Sequence, residues 1–288
     1  MDTKYIFMDL DGTLRGIPDN IVTQATREGM QKARDNGHKL FLCTGRNLPK
    51  LEEVKDLPLD GIVGGAGTIV TVGDEIIYDV GIEGDEFWRV YGMMRACGLI
   101  CDVETTWCTY IDMEILDFFD ARKKEADAKG VPSFDGRKIF EKELETGRVK
   151  PMSMYQGEPV HKIGFSAWHR RDVYPFRDVY GKDYRIVFYD GMMGKTDLDD
   201  EEMTSGEINP FRFDKGQGCR VAVEYFGGDM KDSIGFGDSM NDYEMIEACA
   251  VGVVMENGEQ GLKDIADVIA GEAGKEGVLH EFERMGLI

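Results

Sequence analysis

Apolar and polar residues alternate in blocks along the first eighty positions of the chain. Three short, nearly unbroken apolar runs predict strands that are buried on both faces of a sheet: residues 4–8, 39–43 and 61–63. Two segments with helical spacing separate them: residues 23–36, which end before Gly37, and residues 48–55. This alternation is typical of a doubly wound α/β fold with a parallel sheet. The next two runs, 68–72 and 75–78, flank Gly73-Asp74 and predict a hairpin.

The pattern changes near residue 83 and returns near residue 213. Between these points, charge-rich helical segments mix with isolated strand-like runs, at 85–96, 115–129, 162–167 and 185–189. A turn predicted at Ser205-Gly206 closes this part. Helices are then predicted at 215–225, 241–249 and 278–285, and strands at 232–236, 251–255 and 266–270. We therefore expect an α/β core formed by residues 1–82 and 208–288, with an inserted α+β domain over residues 83–207.

Composition and charge exclude several classes of protein. The 288 residues are 42% hydrophobic with eight prolines, which is ordinary for a globular protein and excludes wholesale disorder. Thirty-four basic residues against 55 acidic ones give a net charge of −21, so the surface repels nucleic acid and anionic lipid. No window reaches the roughly 18 consecutive apolar residues of a membrane span, and the first eleven residues have no feature of a secretory leader. We expect a cytoplasmic protein with neither nucleic-acid nor membrane partners.

The six cysteines contain no CxxC pair. Cys97, Cys101 and Cys108 cluster along the chain, which leaves a metal-binding interpretation open, but the nearest histidines are far away in sequence. Reduced structural thiols in a cytoplasmic protein explain the pattern better.

The first candidate for chemistry is the segment Asp9-Leu10-Asp11-Gly12-Thr13, directly after the first predicted strand. In open α/β sheets the ligand crevice lies at the carboxyl ends of the strands, which is where these two carboxylates fall. Gly12 permits a tight turn whose exposed N–H groups can bind an oxyanion. An ordinary Asp-Gly turn at a strand end is the alternative.

Three further candidates follow the same rule of position. Thr44 and Gly45 come after the second strand, where a hydroxyl and a free N–H suit a phosphate oxygen, although a helix N-cap has the same residues. Lys215 begins a predicted helix and is either a cation for phosphate or a solvated surface charge. Asp238, Asn241 and Asp242 lead from a strand into a helix, whose N-terminus favours acids in any protein. Several carboxylates beside a phosphate site favour Mg²⁺.

Taken together, the series DLDGT, TGR, Lys215 and GDSMND resembles the haloacid dehalogenase-like superfamily, in its Cof-type phosphatase branch with a large α/β cap. The apolar run 250–255 is also similar to that branch. The motifs lie in both core segments, and the insertion of 83–207 between TGR and the lysine matches the position of such a cap. One departure is that the third strand is followed by Ala66-Gly67-Thr68, where the family often has Asn-Gly-Ala, so a polar contact near the substrate or Asp9 is missing.

The resemblance implies a role for each motif residue. Asp9 would be the nucleophile and Asp11 the general acid/base. The phosphate would be held by Thr44, the Gly45 N–H, Lys215 and Asn241. Mg²⁺ would be bound by the Asp9 carboxylate, the Asp11 backbone carbonyl and Asp238, with Asp242 acting from behind these ligands.

The function expected from these residues is Mg²⁺-dependent hydrolysis of a small phosphorylated metabolite, a sugar phosphate or similar monoester, through an aspartyl-phosphate. The same chemistry also serves phosphomutases, which return the phosphoryl group to a sugar. A non-catalytic phosphometabolite-binding protein and a dehalogenase are further alternatives on this fold. Aromatic residues of the inserted domain are candidates for stacking on the leaving group, although each is also a normal core residue: Trp88, Trp107, Tyr110 and Trp168.

Overall fold

The computed structural model describes residues 2–16, 20–131, 135–189 and 199–288. They form two compact units, the first made of Met1–Asp79 and Phe213–Ile288 and the second of Val80–Arg212. Within the described residues, no helix combines the length and the apolar character that crossing a membrane requires.

The strands are, in chain order, β1 (Tyr5–Met8), β2 (Lys39–Cys43), β3 (Gly61–Gly64), β4 (Ile69–Val72), β5 (Glu75–Asp79), β6 (Ile100–Thr105), β7 (Thr109–Ile111), β8 (Val149–Pro151), β9 (Val160–Ala167), β10 (Tyr184–Phe188), β11 (Thr204–Pro210), β12 (Ser233–Gly237), β13 (Val251–Met255) and β14 (Val268–Ala270). The α-helices are α1 (Gln24–Asp35), α2 (Gly84–Ala96), α3 (Ile115–Lys129), α4 (Gly136–Thr146), α5 (Tyr174–Tyr180), α6 (Lys215–Tyr225), α7 (Tyr243–Ala248), α8 (Gln260–Lys263) and α9 (Gly277–Arg284). Short 3₁₀ turns include Leu48–Val54, Gly65–Gly67 and Met240–Asp242.

The described residues of the first unit form one eight-stranded sheet in the order β14-β13-β12-β1-β2-β3-β4-β5. The pairs from β14 to β3 are parallel, and β4 and β5 add the antiparallel hairpin that the sequence predicts. Alternate side chains of β1 enter two different apolar clusters, Ile6 and Met8 on one face and Tyr5 and Phe7 on the other. The first cluster includes residues of α1 and α9, and the second includes residues of α6 and α7. Burial on both faces explains the unbroken apolar run and confirms the doubly wound α/β fold.

The second unit contains a six-stranded sheet among its described residues, in the order β10-β11-β9-β6-β7-β8. Its pairs are antiparallel except β7 with β8. This mixed sheet with helices is an α+β arrangement.

The turn predicted at Ser205-Gly206 is wrong, because both residues lie inside strand β11. Ser205 pairs with Ser166, and Gly206 pairs with Phe165 of β9. A Cβ atom on Gly206 would lie 2.1 Å from the carbonyl oxygen of Val187 and 2.5 Å from the Phe165 ring. The glycine therefore permits close packing within a sheet, and pairing with distant strands overrides its local preference for turns. A border after residue 207 would cut this strand, whereas the second unit continues to Arg212.

Two predicted helices also differ in detail. The segment predicted as a helix at 48–55 is a 3₁₀ turn, Leu48–Val54, with a proline in its first turn. The segment predicted at 241–249 begins with the 3₁₀ turn Met240–Asp242 before α7 starts at Tyr243. Short 3₁₀ turns are common at the start of helices.

Candidate active site

Asp9 and Lys215 form a buried ion pair at the end of the central strand. Asp9 follows β1, and its backbone N–H donates to the carbonyl oxygen of Phe236 in the neighbouring strand β12, 2.9 Å away. Lys215 is the first residue of α6 and is about 1% exposed. Its Nζ donates to Asp9 Oδ1 at 2.6 Å. The sequence alternative of a solvated surface lysine is therefore wrong.

Asp242 holds the other side of the lysine. Lys215 Nζ donates to Asp242 Oδ1 at 2.5 Å and to Asn241 Oδ1 at 3.2 Å. The second oxygen, Oδ2, accepts the backbone N–H groups of Asp238 at 3.0 Å and Ser239 at 3.2 Å. Both oxygens of this fully buried carboxylate are thus engaged, one by the cation and one by the helix entry.

Asp238 lies over the turn that follows Asp9. The hydroxyl of Thr13 donates to Asp238 Oδ1 at 3.1 Å. Gly12 adopts a φ of +90°, which is in the region that favours glycine. Asn257, at the end of β13, donates from Nδ2 to the carbonyl oxygen of Gly12 at 2.8 Å and accepts from the Ala273 N–H. Our reading of the sequence missed Asn257; its place just after a strand was the available signal.

Burial changes the ionisation of this cluster. Burial raises the pKa of Asp9 to about 8, and the carboxylates of Asp242 and Asp238 add to the effect, while Lys215 opposes it. Burial, with a contribution from Asp242, raises the pKa of Asp238 to about 6. Burial alone would lower the pKa of Lys215. The carboxylates of Asp242 and Asp9 outweigh this effect and raise the pKa well above its usual value, so the ammonium form is stabilised. One lysine cannot neutralise three carboxylates. If all three are ionised, the cluster therefore carries an excess of negative charge.

The carboxylates of Asp9, Asp238 and Asp242 form the group of metal-ligating side chains found among the described residues. One oxygen from each lies within 4.8 Å of the other two. Hard oxygen donors at this spacing fit Mg²⁺, which takes few protein ligands and keeps several waters. The Asp11 carboxylate is not part of this group.

The side chain of Asp11 instead accepts hydrogen bonds from two arginines. Arg15 donates from Nε to Oδ1 at 2.8 Å, and Arg46 donates from Nε and Nη2 to Oδ2 at 3.2 and 2.8 Å. Glu53 Oε1 accepts from Nη1 of both guanidiniums, at 3.0 and 3.2 Å. None of these three residues was predicted from the sequence to have a role. The available signals were the arginine four positions after Asp11 and the arginine that ends TGR.

Thr44 and Gly45 follow strand β2, which is the parallel neighbour of β1. The Thr44 hydroxyl accepts from the Arg46 N–H at 3.2 Å, so its proton remains available to a ligand. A Cβ atom at Gly45 would meet nothing within 4 Å, so the backbone there faces open space. Ala66, where the family often has asparagine, donates its N–H to the Thr44 carbonyl oxygen at 3.1 Å with a φ of +56°.

The remaining candidates belong to the second unit. Tyr110 is buried in the second unit, where its hydroxyl donates to Glu158, so it is not available for stacking. Trp88, Trp107 and Trp168 are exposed by 53%, 65% and 40%. All six cysteines are free thiols, and Cys97, Cys101 and Cys108 form no metal group within the part of the chain that the structure describes.

Asp9 and Asp238 follow neighbouring parallel strands at their carboxyl ends, where ligands bind in doubly wound folds, and Lys215 at the start of α6 contacts Asp9. The chain belongs to the haloacid dehalogenase-like hydrolases, whose family model matches residues 6–282. Over its whole length it is 23% identical to the putative phosphatase YkrA of Bacillus subtilis, of which it covers 100%. It is also 23% identical to the 5-amino-6-(5-phospho-D-ribitylamino)uracil phosphatase YwtE of the same organism, with 98% of each chain covered.

Solved structures share the fold. The subclass IIB sugar phosphatase BT4131 superposes with a TM-score of 0.72 at 20% identity, covering 99% of this chain and 100% of that one. The protein is therefore a hydrolase of the haloacid dehalogenase-like family.

Proposed function

We propose that this enzyme hydrolyses a small phosphorylated metabolite, a sugar phosphate or similar monoester, through an aspartyl-phosphate on Asp9 with Mg²⁺ as cofactor. The observation that carries the proposal is the contact of 2.6 Å between Asp9 and the buried Lys215, within a group of three carboxylates. A lysine in contact with the nucleophile would place a positive charge beside a phosphate bound there.

The carboxylates divide between metal binding and support. Asp9 and Asp238, with the Asp11 carbonyl oxygen, would hold Mg²⁺. Asp242 has both oxygens occupied, and so it orients Lys215 and the helix entry. When bound, the ion offsets the repulsion between an anionic nucleophile and an anionic phosphate.

In the first step, an Asp9 oxygen attacks phosphorus, the bond to the substrate's ester oxygen breaks, and Asp11 gives that oxygen a proton. In the second step, Asp11 takes a proton from water, which attacks phosphorus and releases inorganic phosphate from Asp9. Thr44, the Gly45 N–H, Lys215 and Asn241 hold the phosphate oxygens through both steps.

The second unit supports the choice of a polar leaving group. Lys162 Nζ lies 3.2 Å from Glu207 and 3.5 Å from Glu104, on one face of its sheet. Glu207 also accepts from the Tyr189 hydroxyl at 2.8 Å and from Asn209 at 3.1 Å. Such a polar face is unusual for a sheet and suits a hydroxyl-rich molecule. We therefore propose that this unit, as a cap, selects the leaving group.

The six free thiols support a reducing, cytoplasmic setting.

The test is to trap the covalent intermediate. Wild type, Asp9→Asn, Asp11→Asn and the control Asp74→Asn, at the hairpin tip, are mixed with acetyl phosphate and Mg²⁺, quenched rapidly and weighed intact. We expect an added phosphoryl group that accumulates in Asp11→Asn, because water activation is slowed, and none in Asp9→Asn. With an acyl phosphate the leaving oxygen needs little protonation, so the first step survives the loss of Asp11.

Phosphorylation of Asp9→Asn would remove Asp9 as the nucleophile. The reverse pattern between the two variants would exchange their roles. A parallel assay with p-nitrophenyl phosphate should release phosphate with Mg²⁺ and stop in excess chelator. Full activity in chelator would contradict the metal assignment.

A further inference from the structure

Asp11 is held in a closed ring of ion pairs that the proposed reaction has to open. Two guanidiniums contact its two oxygens, and Glu53 joins the guanidiniums on their other side. Both carboxylate oxygens of Asp11 accept N–H groups from these arginines. One of the two oxygens must therefore be released by its arginine before Asp11 can exchange a proton with an ester oxygen or water.

We propose that Arg15 and Glu53 are positioning residues for Asp11: they fix Oδ1 and leave Oδ2, under the movable Arg46, as the oxygen that exchanges protons. This inference rests on the proposed role of Asp11 as general acid/base. Its evidence is the unequal way in which the two arginines are held.

Arg15 has little freedom to move. Its side chain is 5% exposed, and both Nε and Nη2 lie 2.8 Å from Asp11 Oδ1. Its backbone belongs to the same turn, because Gly12 N–H donates to the Arg15 carbonyl oxygen at 2.9 Å and Arg15 N–H donates to that of Leu10 at 3.0 Å. Both contacts converge on the single oxygen Oδ1, so the guanidinium fixes the position of that oxygen and balances its charge.

Arg46 is held more loosely. Its side chain is 34% exposed, against 5% for Arg15, and its Nη2 and Nε lie 2.8 and 3.2 Å from Asp11 Oδ2. A partly exposed ion pair exchanges readily with water or an incoming group. The guanidinium of Arg15 is buried, and its backbone belongs to the same turn as Asp11. Departure of Arg46 would free Oδ2 and leave Oδ1 in place.

Glu53 keeps Arg15 in place when Arg46 leaves Asp11. It lies on the turn Leu48–Val54, and Oε1 contacts Nη1 of Arg15 at 3.0 Å. When Arg46 leaves, Glu53 still anchors the outer edge of Arg15. The Asp11 carboxylate then keeps its orientation during the proton transfers.

The test separates positioning from binding by measuring kcat, KM and the fraction of phosphoenzyme at steady state with p-nitrophenyl phosphate. Arg15→Met should lower kcat by about 10²-fold, within the range for loss of general acid–base catalysis, with KM within about twofold because binding is untouched. Phosphoenzyme should accumulate as it does in Asp11→Asn. Arg15→Lys keeps the charge but not the paired contacts, so we expect only partial rescue.

Glu53→Ala, an exposed position, covers the case in which an Arg15 variant does not fold, and should lower kcat in the same direction. The matched control is Glu52→Ala. Glu52 lies on the same turn and pairs with Lys55, which directly follows the turn. Arg46→Ala should retain more activity than Arg15→Met.

Three results would overturn the inference: folded Arg15 variants with the kcat of wild type, a raised KM at unchanged kcat, or a greater loss in Arg46→Ala than in Arg15→Met. If wild type itself forms no phosphoenzyme on Asp9, the proposed function fails and the inference falls with it. If wild type forms phosphoenzyme but Arg15→Lys and Glu53→Ala have the kcat of wild type, the inference is rejected while the proposed function stands.

Discussion

Gly12 lies directly against the carboxylate of Asp238: a Cβ atom on Gly12 would come within 2.3 Å of Asp238 Oδ2. The glycine also has a φ of +90°, so it meets two requirements at once, a turn conformation and a close approach by the side chain proposed to bind the metal. The turn and the carboxylate come from opposite ends of the chain, and the absence of a side chain lets them meet.

Gly12→Ala should therefore displace Asp238 and impair the site more than the fold. We expect a loss of about 1–3 kcal/mol in the free energy of unfolding from backbone strain, and a higher Mg²⁺ concentration for half-maximal activity. The control is Gly73→Ala, which has a φ of +55° but nothing within 4 Å of its Cβ. Thermal unfolding and Mg²⁺ titration check both effects. An equal change in Mg²⁺ dependence for the two variants would show that the contact with Asp238 is unimportant.

Asp238→Ala removes a metal ligand while Asp9 remains. The expected result is a half-saturating Mg²⁺ concentration raised by at least about 10-fold, with activity partly restored at high Mg²⁺. We expect kcat to recover because the substitution leaves Asp9, Lys215 and Asp242 unchanged, and Lys215 remains held by the two carboxylates. Phosphate release over a Mg²⁺ series measures this, with Asp264→Ala, directly after α8, as the surface control. A lower kcat at an unchanged Mg²⁺ requirement would contradict the assignment of Asp238 to the metal.

The sequence predicted the central strands of the first unit, such as β1 and β2, because these strands are buried on both faces and their pattern is decided locally. It also placed the motif residues at strand ends, where sheet topology brings together Asp9, Lys215, Asp238 and Asp242. These inferences need only the order of elements and the direction of the strands.

Other features depend on contacts that no local pattern contains. Strand β6 went unassigned because Asp102 and Glu104 interrupt its apolar residues, and Glu104 is compensated by Lys162 from another strand. The ring around Asp11 depends on the side-chain conformations of Arg15 and Arg46, which are long and flexible. Sequence spacing shows that arginines are near a site, but not which oxygen each one contacts.

The stability of the metal-free protein should depend on pH through Asp238. Burial raises its pKa from 3.8 to about 6 in the folded state, so the folded protein binds this proton more tightly than the unfolded chain. The resulting stabilisation is present below pH 4 and is lost as pH rises through about 6, and is at most about 3 kcal/mol. Asp238→Asn lacks this titration, and its Oδ1 still accepts from Thr13.

In chelator, Asp238→Asn should therefore gain stability relative to wild type between pH 4.5 and pH 7.5. The difference in Tm between the two proteins, measured at both values, checks this, with Asp74→Asn as the control. A difference in Tm that is the same at both pH values would show that Asp238 is not responsible.

Substrate selection by the second unit is testable at Glu207, which contacts Lys162, Tyr189 and Asn209. Glu207→Gln keeps the shape of the side chain and removes its charge. We expect relative kcat/KM values across a panel of sugar phosphates to change by about 10-fold or more, while p-nitrophenyl phosphate, which has no hydroxyl-rich leaving group, changes little. Glu125→Gln, from the surface pair with Lys129, is the control. Unchanged relative rates would place specificity elsewhere.

Ala66 has a backbone conformation that suits glycine or asparagine better than alanine. Its φ is +56°, and its N–H donates to the carbonyl oxygen of Thr44, so the turn is fixed by the loop that would hold the phosphate. Alanine in this region is strained by about 1–2 kcal/mol, part of which glycine recovers despite its greater freedom in the unfolded chain. Ala66→Gly should therefore stabilise the protein by about 0.5–1 kcal/mol, and Ala66→Asn should do so as well, since asparagine tolerates this region. Ala126→Gly, in helix α3, is the matched control and should destabilise by a similar amount. Chemical denaturation measures all three variants, and a loss of stability in Ala66→Gly comparable to that in Ala126→Gly would show that Ala66 carries no strain.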